Sequence, residues 1–181
     1  MKALAMKNNS SDLILRRLSL SDKDAFSKAI IDWNIADNEL LFPFLLGYKS
    51  FDELIDRLTK MEQGINLPNG FVPQIQFYGF INDTIVGRLQ FRTKLTPDLE
   101  LHGGNIGYLV ARPYRRQGYA TEMMRQVLPF IWSVGLEKVL ISCDKDNSPS
   151  KKIIERSGGK LIDTIWNDQL NRYTNRYWIT K

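Results

Sequence analysis

The stretch NIGYLVARPYRRQGYATEMM, Asn105 to Met124, decides how the chain folds. It opens on a short apolar run rich in β-formers, NIGYLV, and leads into a helical period carried by Met123, Met124, Val127, Leu128, Ile131 and Trp132. Between the two lie Arg112, Arg115, Arg116 and Gly118. A helix start already carries unpaired N–H groups and roughly half a positive charge. Arginines and a residue without a side chain, added at that end, mark a place prepared for an anion. The strand-loop-helix order aims the amides of Gln117, Gly118, Tyr119, Ala120 and Thr121 at one point, and Arg115 and Arg116 offer charge-assisted hydrogen bonds. A pyrophosphate suits this arrangement. The stretch is neither a Walker loop nor GxGxxG, and taken alone it also reads as a solvated turn.

Working outward, DLILRRLSL alternates as a first strand, and SLSDKDAFSKAIIDW follows with a helix start and Phe26, Ile30 and Trp33 at helical spacing. SFDELIDRLTKM predicts a second helix with Ser50 as N-cap and Glu53 at the capping-box position. PQIQFYGFIN and TIVGRLQFRTKL, separated by Asn82 and Asp83, predict a hairpin, and LTPDLELHGG reads as a polar connection. Beyond the opening stretch, Pro129 is expected to kink the motif helix, Gly135 to cap it, and KVLISC to form a buried strand. NSPSKKIIERSGG predicts a helix with Asn147 or Ser148 as N-cap, Pro149 in the first turn and Gly158 past the end; RYTNRYWIT predicts a last strand. The order is β-α-α-β-β-β-α-β-α-β. Hairpin pairing in the first half and a strand-helix-strand crossover in the second imply an α/β mixed sheet covered by helices.

With 181 residues the chain is expected to form one domain over 1–181, with 1–11 as a tail. Apolar residues at 43% and charged residues at 25% suit a soluble protein, and no apolar run approaches the roughly 20 residues that span a bilayer. MKALAMKNNSSD lacks the apolar core of a signal peptide, so a cytoplasmic location is expected. Cys143 is the only cysteine, which excludes an internal disulfide and a cysteine-rich zinc site; His102 is the only histidine, so no metal site is expected. A net charge of +5 is moderate, and the basic residues are scattered apart from two clusters, so nucleic-acid binding is disfavoured.

YLVARPYRRQGYA resembles the acetyl-CoA motif of the GCN5-related N-acetyltransferases, a strand followed by Arg/Gln-x-x-Gly-x-Gly/Ala, with Arg115, Gly118 and Ala120 at the defining positions. The resemblance extends over LILRRLSLSDKDAF and DKDNSPSKKIIERSGGKL. Through GGNIGY and CDKDNSPS the chain is most similar to a group of bacterial acetyltransferases. It implies the acyl-CoA N-acyltransferase fold: a mostly antiparallel mixed sheet with a splayed pair of parallel strands and helices on both faces. It also implies acetyl-CoA, with the pyrophosphate on the loop from Arg115 to Ala120 and on Thr121. The pantetheine would then pair along Tyr108, Leu109 and Val110, with Asn147 and Ser150 beside its arm. A backbone N–H near Val110 would polarise the thioester carbonyl. The implied activity is acetyl transfer to a primary amine of a small molecule, an amino acid or a peptide, and a homodimer is implied as well. Asn147 reads equally as a plain N-cap.

The chemistry is less legible. Many relatives carry a glutamate base at the start of the fourth strand, where this chain has Gly104 and Asn105, and a tyrosine acid seven residues after the Asn147 position, where it has Ile154. Glu100 is a substitute base, directly or through water, or an exposed loop carboxylate. His102 has a suitable ordinary pKa or is a surface imidazole. Tyr108 is an acid or core, and Tyr173 and Tyr177 are acids or sheet residues. Arg92 and Lys94 read as receivers of a substrate carboxylate or as a solvated strand edge; Trp33, Phe42 and Phe44 read as an apolar pocket or as core. A non-catalytic acyl-CoA-binding module is the alternative to an enzyme.

Overall fold

The computed structural model describes residues 12–33, 47–168 and 170–181. The expected tail, Phe42 and Phe44 lie outside the described residues. Strand β1 (Ile14–Arg16) leads through a 3-10 turn into α1 (Lys23–Asp32); α2 (Phe51–Gln63), β2 (Gln74–Ile81), β3 (Thr84–Arg92), α3 (Pro97–His102) and β4 (Ile106–Val110) follow. The second half runs α4 (Tyr119–Ser133), β5 (Lys138–Asp144), α5 (Ser148–Arg156), β6 (Lys160–Asn167) and β7 (Arg172–Thr180). Among the described residues no helix is long and apolar enough to cross a membrane.

The strands form two sheets, ordered β1-β2-β3-β4 and β5-β7-β6, antiparallel in every ladder. Both turn one face to α4 and α5. There Met123, Met124, Val127 and Ile131, one stripe of α4, pack with Phe77, Leu89 and Phe91 of the first sheet and with Ile141, Tyr177 and Ile179 of the second. The opposite face of the first sheet is covered by α1 and α2, with Phe26, Ala29, Phe51, Leu54 and Met61 over Tyr78, Phe80 and Ile85. Helices therefore lie on both faces, as expected.

The sheets meet at one point. Asn105 donates its N–H to the Leu140 carbonyl (2.7 Å), its Oδ1 accepts from Leu140 N–H (2.8 Å), and its Nδ2 donates to the Arg92 carbonyl (3.0 Å). Gly104 has φ +78°, and a Cβ there would lie 2.4 Å from the Leu140 oxygen, so the residue must be glycine. Gly104 makes an isolated antiparallel bridge with Ile141, and beyond it β4 turns to run toward the C-terminal end of β5, since the Tyr108 hydroxyl reaches Ser150 in the first turn of α5, which follows β5. No ladder joins the two strands beyond it. This is the splayed parallel pair.

Four local readings are corrected. The polar connection contains α3, capped by Thr96, whose hydroxyl accepts from Leu99 N–H (3.3 Å). Six residues ended by two glycines are too short to display a helical period. The last helix is followed by an additional strand, β6; it is mostly exposed, and a register shift between Leu161 and Asp163 breaks the alternation by which a strand is read. The first strand keeps only three residues. Ser50 does cap α2, but the Glu53 carboxylate accepts from Lys49 N–H (2.6 Å), one residue before the expected partner. Helix α4 continues through Pro129 to Ser133.

One ion pair ties β1 to the start of α1. Arg16 grips Asp22 through both nitrogens (2.7 and 2.6 Å), and the Ser19 N–H and hydroxyl donate to the same carboxylate. The Arg16 hydrogen bonds, followed by those of Ser19 against the opposing effect of burial, hold the Asp22 pKa down to about 2. Because the folded value lies below the unfolded one of about 3.9, the contribution is full above pH 4 and is lost between about pH 4 and 2.

Two measurements check these assignments. Asn105→Ala leaves the Leu140 N–H and the Arg92 carbonyl unpaired in the interior and is expected to cost about 2–4 kcal/mol in urea unfolding. In acid titrations of stability, the wild type is expected to lose about 2 kcal/mol between pH 4 and 2 that Asp22→Asn does not lose over that interval.

Candidate functional site

Antiparallel pairing alternates the direction of backbone groups. In the β3–β4 ladder, Ala111 N–H bonds the Val86 carbonyl (3.0 Å) and Arg92 N–H bonds the Asn105 carbonyl (2.7 Å). With Gly87 opposite Val110 and Leu89 opposite Tyr108, this phase turns the backbones of Gly107 and Leu109 toward β3. Those of Ile106, Tyr108 and Val110 face the gap beside β5. Leu109, expected at the cofactor with its neighbours, thus has its backbone in the ladder and its side chain against the α1–α2 core. The open edge belongs to Tyr108 and Val110.

Beyond Val110 the chain makes a 3-10 turn, Arg112–Tyr114, then an extended Arg115, a left-handed Arg116 (φ 63°) and a left-handed Gly118 (φ 82°) at the start of α4. No side chain caps this helix. Its first intrahelical bond is Glu122 N–H to the Gly118 carbonyl (3.0 Å), so the amides of Tyr119, Ala120 and Thr121 have no partner within the helix. A serine or aspartate cap would occupy them; glycine leaves them to an external anion. The loop is braced by its own side chains. Arg115 Nε donates to the Val110 carbonyl (2.9 Å), and Gln117 accepts from the Tyr119 hydroxyl (3.1 Å). Arg115, expected to bind the anion, therefore holds the loop shut against the strand, while Arg116 is exposed beside the helix start.

The gap between β4 and β5 is bordered by α5. The Tyr108 hydroxyl lies 2.7 Å from Ser150 Oγ, and Ser150 N–H donates to Asn147 Oδ1 (3.1 Å). Asn147 thus caps α5, and its Oδ1 is engaged there. Burial, partly offset by Ser150, pushes the Tyr108 pKa up to about 12, so the phenol stays protonated. The Cys143 thiol, raised chiefly by burial, belongs to the same group. Sequence reasoning used Cys143 only for what a lone cysteine excludes; its place after the buried run KVLIS was the available signal.

Other candidates are dispersed. Glu100 is exposed on α3, where its carbonyl accepts from Arg176 (2.9 Å), and nothing brings it to Tyr108. His102 has a buried Nδ1 without a hydrogen-bond partner among the described residues. Tyr173 is half exposed against Trp166, whereas Tyr177 is core. Trp33 is buried, its Nε1 donating to the Ile85 carbonyl (3.1 Å), and Ile154 is fully buried. Lys94 is exposed. Arg92 is not on a solvated edge: it donates to the Gly104 carbonyl (3.0 Å) and the Gln90 side chain (3.1 Å), and burial together with the Arg88 charge lowers its pKa to about 10.

An anion cradle on α4 continuous with an open strand edge fits a ligand that joins a pyrophosphate to a hydrogen-bonding amide arm. The family model of the acetyltransferase (GNAT) domain matches residues 12–160. Among solved structures, a ribosomal-protein alpha-N-acetyltransferase, RimL, in complex with coenzyme A superposes with TM-score 0.64 at 17% identity, covering 93% of each chain. A microcin self-immunity acetyltransferase, MccE, in complex with acetyl-CoA and AMP gives 0.65 at 14%, covering 93% of this chain and 92% of that one. Mycobacterium smegmatis RimJ in complex with a CoA-disulfide gives 0.64 at 19%, covering 93% and 81%. No curated protein matches at the level of sequence.

Thermal shift tests the cradle. Acetyl-CoA at about a hundred times its dissociation constant adds roughly 2.7 kcal/mol and is expected to raise the wild-type Tm by several degrees, with ATP and NAD giving none. Arg115→Ala combined with Arg116→Ala is expected to abolish that shift.

Proposed function

The chain belongs to the GNAT acetyltransferase family, and on that footing we propose that it transfers the acetyl group of acetyl-CoA to a free α-amine of an amino acid, a peptide or a small molecule. The observation that carries the reading is the continuity of the uncapped α4 start with the Tyr108–Val110 edge, ending at the Tyr108–Ser150 hydroxyl pair. Acetyl-CoA supplies an activated acyl group as its thioester. The amides from Gln117 to Thr121 and the charge of Arg116 hold its pyrophosphate. The groups of Tyr108 and Val110 pair with the amide arm as a strand would, and the Val110 N–H polarises the acyl carbonyl.

In the transfer, the amine nitrogen bonds the acyl carbon, the carbon–sulfur bond breaks, the amine loses a proton and the sulfur gains one. Tyr108, kept protonated by burial and linked to Ser150, provides the hydrogen bond that the departing sulfur needs. In this reading the hydroxyl pair takes the role that the resemblance gave to a tyrosine seven residues after Asn147, where Ile154 is committed to the core.

The acceptor class follows from the missing base. Asn105, at the position of the usual glutamate, is committed to Leu140 and Arg92. Roughly a tenth of an α-amine is neutral at pH 7, against under a thousandth of a lysine side chain. Without a positioned carboxylate, the α-amine is the acceptor that reacts.

Acetylation rates with an α-amine panel test this. Tyr108→Phe and Ser150→Ala are each expected to lower kcat about 100-fold while acetyl-CoA affinity is unchanged. Equal turnover of lysine side chains and α-amines would overturn the acceptor assignment.

A further inference from the structure

Twelve large apolar side chains are exposed among the described residues, and five of them sit on one hairpin: Leu161, Ile162 and Trp166 on β6, Leu170 in the turn and Tyr173 on β7. Trp166 and Tyr173 pack edge-on with ring centroids 5.0 Å apart, yet they are 44% and 50% exposed. Each ring then leaves on the order of 100 Å² to solvent. With the three aliphatic side chains the patch reaches several hundred square ångströms, the size at which an exposed apolar surface ordinarily marks a contact.

The hairpin also ends its sheet. In the order β5-β7-β6, one side of β6 is paired with β7 and the other has no strand among the described residues. A row of backbone groups is therefore open along its eight residues, about 26 Å. Edge strands are ordinarily blunted by prolines or by charge. β6 has no proline, and its charges are Lys160 at the first position and Asp163, which the Arg176 Nε of β7 already holds (2.8 Å). The register shift beside Ile162 decides what faces where. Leu161 lies opposite Tyr177, Thr164 opposite Asn175 and Trp166 opposite Tyr173, so the three share the face that Tyr177 turns to the core, and all three are exposed on it.

The strand is complementary to itself. Two copies set antiparallel about a two-fold axis through Thr164, with Ile162 as the extra residue, bring Leu161 opposite the partner's Trp166 at both ends. The same register stands Lys160 beside the partner's Asn167 and Asp168. Lys160 and Asp168 are exposed, and neither has an ion pair among the described residues. An axis through Asp163 would set two carboxylates opposite each other, and one through Ile165 would move Leu161 past the partner's Trp166.

We infer that β6 pairs with β6 of a second copy of this chain about a two-fold axis at Thr164, joining the two three-stranded sheets into one. The joined order is β5-β7-β6-β6-β7-β5. Each β5 stands two strand spacings from its own β6, roughly 10 Å, so both β4–β5 gaps stay open at the outer ends. The apolar patch supplies a good part of the roughly 800 Å² per partner that a stable interface buries, and the β6 backbone and charged ends supply the rest. This inference does not rest on the acetyl-transfer reading.

Sedimentation velocity of the full chain tests it. The wild type is expected to sediment as a dimer at micromolar concentration and above. Leu161→Lys and Trp166→Lys, both at exposed positions, are each expected to weaken association about 10-fold or more while keeping the circular dichroism of the wild type. The charged ends report the register: Lys160→Glu is expected to weaken the dimer, and Lys160→Glu combined with Asp168→Lys to restore it, because the swap recreates the pair across the axis. Thr164→Cys is expected to cross-link to its own copy under mild oxidation, since the two positions meet at the axis. A wild type that stays monomeric would overturn the inference and leave the patch to a different protein. A dimer undiminished in both lysine variants, a double charge swap weaker than the single one, or a dimeric Thr164→Cys that does not cross-link would each overturn it as well.

Discussion

Asn105 holds the two halves of the molecule together, and the rest of the architecture follows from how it does so. Its backbone and side chain make reciprocal bonds with Leu140 of β5, while its amide and carbonyl also close the end of the β3–β4 ladder at Arg92. The close approach requires Gly104, whose left-handed backbone brings its α-carbon over the Leu140 carbonyl. Two sheets are pinned at one end only. Past the pin, β4 has one edge in a ladder and one edge open, and every group assigned to cofactor binding lies along that open edge or at the helix start it leads to.

The pin also explains why a family position associated with base chemistry is occupied here by an amide. A carboxylate at Asn105 would lose the donor to the Arg92 carbonyl and place a charge in a buried junction, which is costly without a cation partner. The residue serves geometry, and in the proposed transfer the proton chemistry falls to the Tyr108 and Ser150 hydroxyls. Tyr108 illustrates the same economy of position: its backbone faces the gap, its ring closes on the core, and its hydroxyl reaches Ser150 on α5.

The two faces of the first sheet have different characters. The side under α4 and α5 is continuous apolar packing that unites both sheets. The side under α1 and α2 is apolar only toward Phe26, Leu54 and Phe80; nearer β4 it turns to glutamines and arginines. A core of that second kind is poorer in stability than hydrocarbon would be, because polar atoms of Gln76 and Tyr78 are buried in it without a hydrogen-bond partner among the described residues.

The sequence by itself determined the elements whose signals are local: the motif strand, the helix that follows it, the Asn82–Asp83 hairpin, the Asn147 cap and the family that the loop belongs to. Capping residues, turn residues and hydrophobic periods act over a few positions, so they can be read in order along the chain. The short α3 and the bulged, exposed β6 were not legible, since neither sustains a period. Nor were the positions of Arg115 and Cys143. Each depends on which atoms the fold brings together: a guanidinium folding back on Val110, a thiol brought beside Ser150. Residue type states which hydrogen bonds a side chain can make, and only the tertiary structure decides which of them are filled and which are left for a ligand.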